Sequence, residues 1–364
     1  MAVFDTIDAK PAPGRQGGLV SWLRRNLFSS WVNGIMTLVM LYLVIPPLWH
    51  LLQWSFLHAD WVGSSRDACE SGGACWVFIN TRFSQFIYGF YPEAERWRVD
   101  IVFAASALLV AALLYPKTPA KGWLALFFFV PFPLLVLWLL HGGFGLTVVD
   151  THYWGGLMLT LLLATVGICG ALPIGILLAL GRRSKMPVIH SLCVVFIEFW
   201  RAVPLITVLF MASVMLPLFM SAEVELDKLL RAVIGIVLFE AAYIAEVVRG
   251  GMQAIPKGQY EAGESLALSY WKSMALIILP QALKITIPSL VNTFIDLFKD
   301  TSLVTIIGLF DLLAVGKAGL ADPNWLGYSV EAYVFIGLIY WIFCFGMSRY
   351  SLFLEQKLHT GHKH

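Results

Sequence analysis

The chain has 364 residues, 59% hydrophobic and 13% charged, with a mean hydropathy of +0.77. Soluble domains carry about 25% charged residues, so the composition excludes an ordinary water-soluble globule and points to a polytopic, all-α membrane protein. A net charge of +2, with no basic run interleaved with aromatics, gives no reason to expect a nucleic-acid partner.

Residues 19–31 (LVSWLRRNLFSSW) read as an amphipathic interfacial helix with Arg24 and Arg25 turned toward lipid headgroups. About eight apolar stretches follow, each near the roughly 20 residues a helix needs to cross a bilayer. They lie at about 33–52, 100–116, 123–141, 154–180, 188–219, 232–249, 273–298 and 332–354. The first run, Ile35 to Leu52, is too long for a cleaved signal's core and lacks an A-x-A site, so it is expected to stay as a span.

The loop 53–99 carries Cys69 and Cys75 around Gly72 and Gly73. In an oxidising compartment the two thiols could close a small disulfide loop, or stay reduced. No His or further Cys stands beside them with ligand spacing, so no metal is expected. The short loops 117–121 and 182–185 hold Lys117, Lys121, Arg182, Arg183 and Lys185, a bias that places them and both termini in the cytoplasm.

From residue 155 small residues recur, with Gly167, Gly170, Ala171 and Gly175 positioned for close helix packing. The stretch 188–219 is interrupted by Glu198, Arg201, Pro204 and Pro217. As a hairpin it would reverse the sidedness of everything downstream, so the charge bias favours one long, broken helix. In the loop 299–331, Leu303 to Leu313 is apolar but too short to cross, and part of it is expected to dip back into protein. The chain thus divides into 1–150, an N-terminal extension with the interfacial helix, three spans and an outer loop; 151–358, a five-span core; and a tail, 359–364.

The loop 249–280 is the most informative segment. Pro256 breaks the incoming span, and from Gln259 a 3.6-residue period sets Ala262, Leu266, Tyr270 and Met274 in one stripe. Glu261, Glu264, Ser265, Leu268 and Lys272 fall on the other side. Two readings are open: a docking helix for a soluble motor, with Glu261 as a charged contact and Leu268 as a protruding knob, or a helix that merely lies in the interface.

The loop resembles the EAA loop of binding-protein-dependent ABC importer permeases, E-A-A, three residues, G, nine residues, I-x-L-P. Here Glu261-Ala262-Gly263 is followed by Ala267 in the glycine position and by Ile277-Ile278-Leu279-Pro280. Both departures keep the residue small, but alanine at 267 argues against a left-handed turn there. The preceding AAYIAEVVRGGMQAIPKGQ, containing Pro256 and Gly258, is similar to the A-Y-x-x-E-x-x-R-G-G-x-x-x-I-P-x-G-Q stretch of polar amino-acid permeases of the histidine/glutamine type. GLMLTLLLATVGICGALPIGILLALGRRSKMP and IEFWRAVPLITVLFMASVMLP look like that family's first two core helices. The three extra N-terminal spans resemble the M-type permease subunit of a general L-amino-acid transporter.

The resemblance implies a type I ABC importer permease core in a bacterial inner membrane, importing L-amino acids. Pro256, Gly258, Glu261, Ala262, Gly263, Ala267 and Leu268 would form the coupling helix. Two ATPase subunits, carrying the ATP and magnesium, would dock on it. A periplasmic binding protein would deliver substrate, and a second, paralogous permease subunit would complete the pathway. No G-x-x-x-x-G-K-[ST] occurs, so this chain has no phosphate-cradling loop of its own. Catalytic motifs such as H-E-x-x-H and G-x-S-x-G are likewise missing. The rival from another class is a secondary transporter driven by an ion gradient, which would call for inverted repeats; the two halves look dissimilar.

Charges inside spans cost about 2.5–3.5 kcal/mol on insertion scales, so they face a partner or a wet cavity. Glu198 and Arg201 are spaced to pair along one helix face. Glu246 is a candidate for an amino-acid ammonium group, or else an i,i+3 partner of Arg249. Glu240 and Asp296 could line the path, and Lys284 is expected to satisfy a carboxylate in the bundle.

Overall fold

The computed structural model describes residues 18–115, 117–219 and 226–358, so the tail 359–364 lies outside the described residues. They form two compact units, one ending at Val77 and one starting at Phe78.

In the first unit, α1 (Leu19–Asn26) ends five residues before the expected limit of Trp31. Its early stop has a local cause. Ser30 opens a new helix, its hydroxyl accepting the Asn33 N–H at 3.2 Å, as an N-cap does. That helix, α2 (Trp31–Leu52), continues through a wide turn to Leu57. Beyond it the loop closes on itself: Asp60 N–H bonds the Ala74 carbonyl, and Trp76 N–H bonds the Asp60 carbonyl, each at 2.9 Å. This pairing brings Cys69 and Cys75 to a Cα separation of 5.5 Å, within the span of a disulfide.

The second unit is a helical bundle. After α3 (Val77–Tyr88) come α4 (Arg96–Leu114) and the pair α5 (Lys121–Phe129) and α6 (Pro131–His141), bent by 43°. Then follow α7 (Gly156–Arg182), α8 (Pro187–Ala202) and α9 (Leu205–Phe210). The 188–219 stretch turns by 100° between Ala202 and Leu205. Val203 precedes Pro204 and is held extended (φ −103°, ψ 132°), where proline's ring forbids the helical region to its predecessor. The expected broken helix is therefore two helices meeting at a corner.

The chain continues through α10 (Lys228–Ala254), α11 (Lys257–Ser265), α12 (Tyr270–Ser273), α13 (Leu279–Asp300), α14 (Leu312–Leu320) and α15 (Ser329–Leu358). Five helical stretches among the described residues are long and apolar enough to cross a membrane, and the two bent pairs raise this to seven. Helix α10, at 27 residues, has the length but includes five charged side chains. The eighth span expected from sequence is therefore a helix long enough to cross, with polar work to do.

Helices α7 and α10 make the most extensive pairing. A Cβ on Gly175 would stand 2.6 Å from Ile244 Cγ2 and 2.9 Å from the Ala241 carbonyl, so the two backbones approach as the run of small residues leads one to expect. Ala241, Ile244, Ala245 and Val248 are wholly buried along this seam. The apolar stretch 303–313 does fold into protein, with Val304 and Leu312 fully buried. Phe310 and Asp311 pair with Gly155 and Gly156 at the start of α7. Asp311 then caps α14, accepting the Leu313 and Ala314 N–H groups at 3.1 and 2.9 Å. Burial pushes its carboxyl above the usual range, with those two N–H groups opposing the shift.

Candidate functional site

Pro256, which has no N–H to donate, separates α10 from α11 and caps the new helix in an extended conformation (φ −56°, ψ 142°). Helix α11 does not continue to Met274. It ends at Ser265, and Ala267 adopts the left-handed conformation (φ 53°) that alanine was expected to avoid. The Ala267 N–H bonds the Glu264 carbonyl at 2.9 Å and the Leu268 N–H bonds the Gly263 carbonyl at 3.2 Å. That pair of bonds is the Schellman closure of a helix C-terminus. The carbonyls it satisfies outweigh the steric cost of alanine, which is why the position tolerates a residue other than glycine.

The turn changes which side chains face the bundle. The expected stripe is broken: Ala262 is exposed, Leu266 is 69% exposed and Tyr270 48%. The buried contact is made by Gly263, against Ser273 and Ile277, with Tyr260 half-buried beside it. Leu268, the expected knob, is half-buried, and Leu266 is the apolar side chain that protrudes next to exposed Glu261 and Glu264. Gly258 is also exposed, with open space around it. A shallow cleft of about 430 Å³ runs beside this helix, lined by Arg183, Gln253, Lys257, Glu261 and Glu264.

Three side-chain bonds tie α11 to the bundle, one of them from the Tyr260 hydroxyl to the Met252 carbonyl of α10 at 2.8 Å. Arg183, at the end of α7, donates to the Tyr260 hydroxyl at 2.6 Å with its guanidinium 5.1 Å from the ring centre. Gln281 of α13 donates to Gln259 at 3.0 Å.

Of the seven charged residues singled out within the spans, six fall into two groups. Glu198, Arg201, Glu246 and Arg249 join a network whose centre is Arg182, a residue read from sequence only as a loop charge. Arg182 reaches Glu198 at 2.9 Å and Glu246 at 3.2 Å, linking α7, α8 and α10. Arg249 Nε donates to both Glu246 oxygens at 3.0 Å, and Arg201 lies 3.9 Å from Glu198 with its guanidinium over Tyr243. Of the two readings open for Glu246, the ion pair is the one present. Lys284 is exposed and makes no ion pair among the described residues, contrary to the expected role.

Glu240 and Asp296 form the second group, in a cavity of about 380 Å³ between α10 and α13. Tyr243, Thr293, Lys299 and Asp300 complete its polar wall. Glu240 is 4% exposed, and its Oε1 has no hydrogen-bond partner among the described residues. Lys299 pairs with Asp296 at 2.9 Å, leaving three carboxyl groups beside one ammonium. Sequence reasoning put Asp300 and Thr293 at no site. The signal was there, since 293, 296 and 300 follow the i, i+3, i+7 spacing of one helix face.

A helical membrane bundle with a short, exposed, charged helix between two long ones is consistent with the membrane subunit of a transporter. The chain belongs to the family described as binding-protein-dependent transport system inner membrane component, whose profile matches residues 171–360. In such systems the ATPase is a separate subunit, so the gradient-driven alternative falls away. Among similar proteins is the inner membrane amino-acid ABC transporter permease protein YhdY of Escherichia coli strain K12. It is 57% identical over 356 residues, spanning 97% of this chain and 96% of YhdY. The glutamate/glutamine/aspartate/asparagine transport system permease protein BztC of Rhodobacter capsulatus is 39% identical, with 97% of each chain covered. A crystal structure of an amino acid ABC transporter with histidines aligns at a TM-score of 0.50 and 28% identity, covering 56% of this chain and 92% of that one.

Proposed function

We propose that the chain is an amino-acid permease subunit in which α11 receives mechanical work from a partner ATPase and the cavity around Glu240 receives the substrate's ammonium group. Full-length similarity to two amino-acid permeases supports the substrate class. The observation that carries the site is a buried carboxylate oxygen lacking a partner, facing two further carboxylates. An ammonium donates three hydrogen bonds and cancels part of the excess negative charge there.

Two ATPase subunits, holding ATP and magnesium, dock at α11 of this chain and at the equivalent helix of a second, paralogous permease subunit. A periplasmic binding protein delivers substrate to the opposite face, and both termini lie in the cytoplasm. Residues 151–358 form the translocation core, supported by relatives that align over little more than half of this chain. Residues 1–150 are an appended segment whose outer loop is closed by a Cys69–Cys75 disulfide.

The test is uptake into proteoliposomes holding this chain with its partner permease, ATPase and binding protein. Uptake of radiolabelled amino acids should require ATP inside the cytoplasm-equivalent compartment. Uptake on an ion gradient with the ATPase omitted, or ATP-driven uptake of everything but amino acids, would overturn the reading.

A further inference from the structure

Helix α13 lies within the stretch Tyr270–Ile307, which is apolar and long enough to cross a membrane. One of its faces is nonetheless polar. Ser289, Asn292, Asp296 and Lys299 follow the i, i+3, i+7, i+10 spacing of a single helix stripe, and all four are exposed. Asp296 and Lys299 belong to the cavity around Glu240; Asn292 and Ser289 lie beyond it, about 6 and about 10 Å from Asp296 along the helix axis. They carry the stripe toward α11. A Cβ on Gly251, near the end of α10, would stand 2.4 Å from Thr286 Cγ2 and 2.8 Å from the Ala282 carbonyl oxygen, so the first turns of α13 meet the last turns of α10. On α10, Tyr243 of the cavity and Gly250, seven residues on, share an exposed face, and a Cβ on Gly250 would meet nothing within 4 Å. The exposed faces of the two helices thus border a groove that leaves the cavity on the α11 side.

Hydrocarbon is a poor neighbour for such a face. A side-chain amide in lipid forfeits its hydrogen bonds to water, and polar residues within spans face protein or a wet cavity. Asn292 makes no side-chain hydrogen bond to another described residue, so no contact within this chain accounts for it. Its amide combines two N–H donors with a carbonyl acceptor in one neutral group. An α-amino acid presents the matching pair, a carboxylate that accepts and an ammonium that donates. A neutral amide holds both more weakly than a charged residue does, which favours passage over retention. We propose that Asn292 is a second substrate post, binding the ammonium and carboxylate of the amino acid after it leaves Glu240, with the Ser289 hydroxyl next along the route. The proposal rests on the reading of the Glu240 cavity as the ammonium site. Because the post grips groups that every amino acid shares, it is indifferent to the substrate's side chain.

The test uses the assembled transporter in proteoliposomes. Asn292→Cys and Leu338→Cys, the latter at an exposed apolar position of α15, are each treated with a charged, water-soluble methanethiosulfonate. Modification is read at the substituted position by mass spectrometry. Asn292→Cys should react and Leu338→Cys should not. Binding protein loaded with amino acid, in the presence of ATP, should slow the Asn292→Cys reaction severalfold more than unloaded binding protein does. In uptake assays Asn292→Leu should lower the maximal rate by roughly tenfold. ATPase assembly and the concentration of loaded binding protein at half-maximal rate should stay unchanged. Asn292→Gln, which keeps the amide, should recover most of the rate. An unreactive Asn292→Cys, meaning that lipid or protein covers the face, would overturn the proposal, as would protection indifferent to the amino acid or full uptake by Asn292→Leu. Glu240→Gln separates the two readings. Impaired uptake in Glu240→Gln with normal uptake in Asn292→Leu removes the second post alone; normal uptake in both removes the cavity reading as well.

Discussion

Tyr260 accepts a 2.6 Å hydrogen bond from Arg183 at the end of α7 and donates one of 2.8 Å to the Met252 carbonyl on α10. One side chain of α11 thus joins two helices of the bundle. The residue before Arg183 is Arg182, which holds Glu198 and Glu246. On the proposed function, these adjacent residues would be the route by which a displacement of α11 reaches the ion network. Tyr260→Phe keeps the ring under the guanidinium and deletes both hydroxyl bonds. Hydrogen bonds to charged groups contribute about 1.5–3 kcal/mol. The variant should retain ATPase association and hydrolysis while transport per ATP falls by roughly tenfold or more. Unchanged stoichiometry of transport to hydrolysis would remove Tyr260 from the path.

The left-handed alanine makes a prediction with a sign opposite to most mutations. Left-handed backbone costs a residue with a Cβ roughly 1–2 kcal/mol. Ala267→Gly should stabilise the chain by about 1 kcal/mol and raise its thermal midpoint in detergent. Ala267→Val, β-branched at the same φ of 53°, should lower it.

Gly175→Leu inserts a side chain where a single Cβ already meets Ile244 and Ala241. Overpacking typically costs about 1–3 kcal/mol, and a rigid helix seam has little room to relax. The expected result is reduced yield of folded protein, read by size-exclusion chromatography, with Gly175→Ala intermediate.

In the cavity around Glu240, Glu240→Gln keeps the shape and removes the group that can ionise against a bound ammonium. Uptake should fall about tenfold or more at limiting substrate, since a charge-assisted bond to an ammonium becomes a neutral one. The binding protein's own affinity for the amino acid, measured by calorimetry, should not change. Equal uptake by Glu240→Gln and the unaltered chain would move the ammonium site elsewhere.

Much of this architecture was legible because lipid demands long apolar helices, and their spacing survives in a single chain. The break at Pro204 and the separation at Pro256 were legible for the same reason, since proline's missing N–H acts locally. What escaped were features decided by one backbone angle or by tertiary contact. The 3.6-residue period from Gln259 to Met274 is a real sequence pattern, yet the turn at Ala267 rotates its second half away. Leu268, beyond the turn, is half-buried, whereas Ala262 and Leu266, before it, are exposed because Gly263 is the residue of α11 that meets the bundle. Arg182 looked like an ordinary loop charge because its two carboxylates come from α8 and α10, which no local window contains. Glu246 paired at i,i+3 as helix geometry allows, while Asp300 was overlooked for want of knowing that α13 faces α10.

The central claim is that α11 is the surface a partner ATPase grips, with Glu261 and exposed Leu266 at the contact. A photoreactive amino acid placed at position 266 in the assembled transporter tests it most directly. Illumination in native membranes should give one adduct, with the ATPase subunit, and Glu261→Lys should abolish it together with ATPase co-purification while the permease stays folded. Adducts only with lipid or with the extracytoplasmic binding protein, or full coupling in Glu261→Lys, would contradict the account.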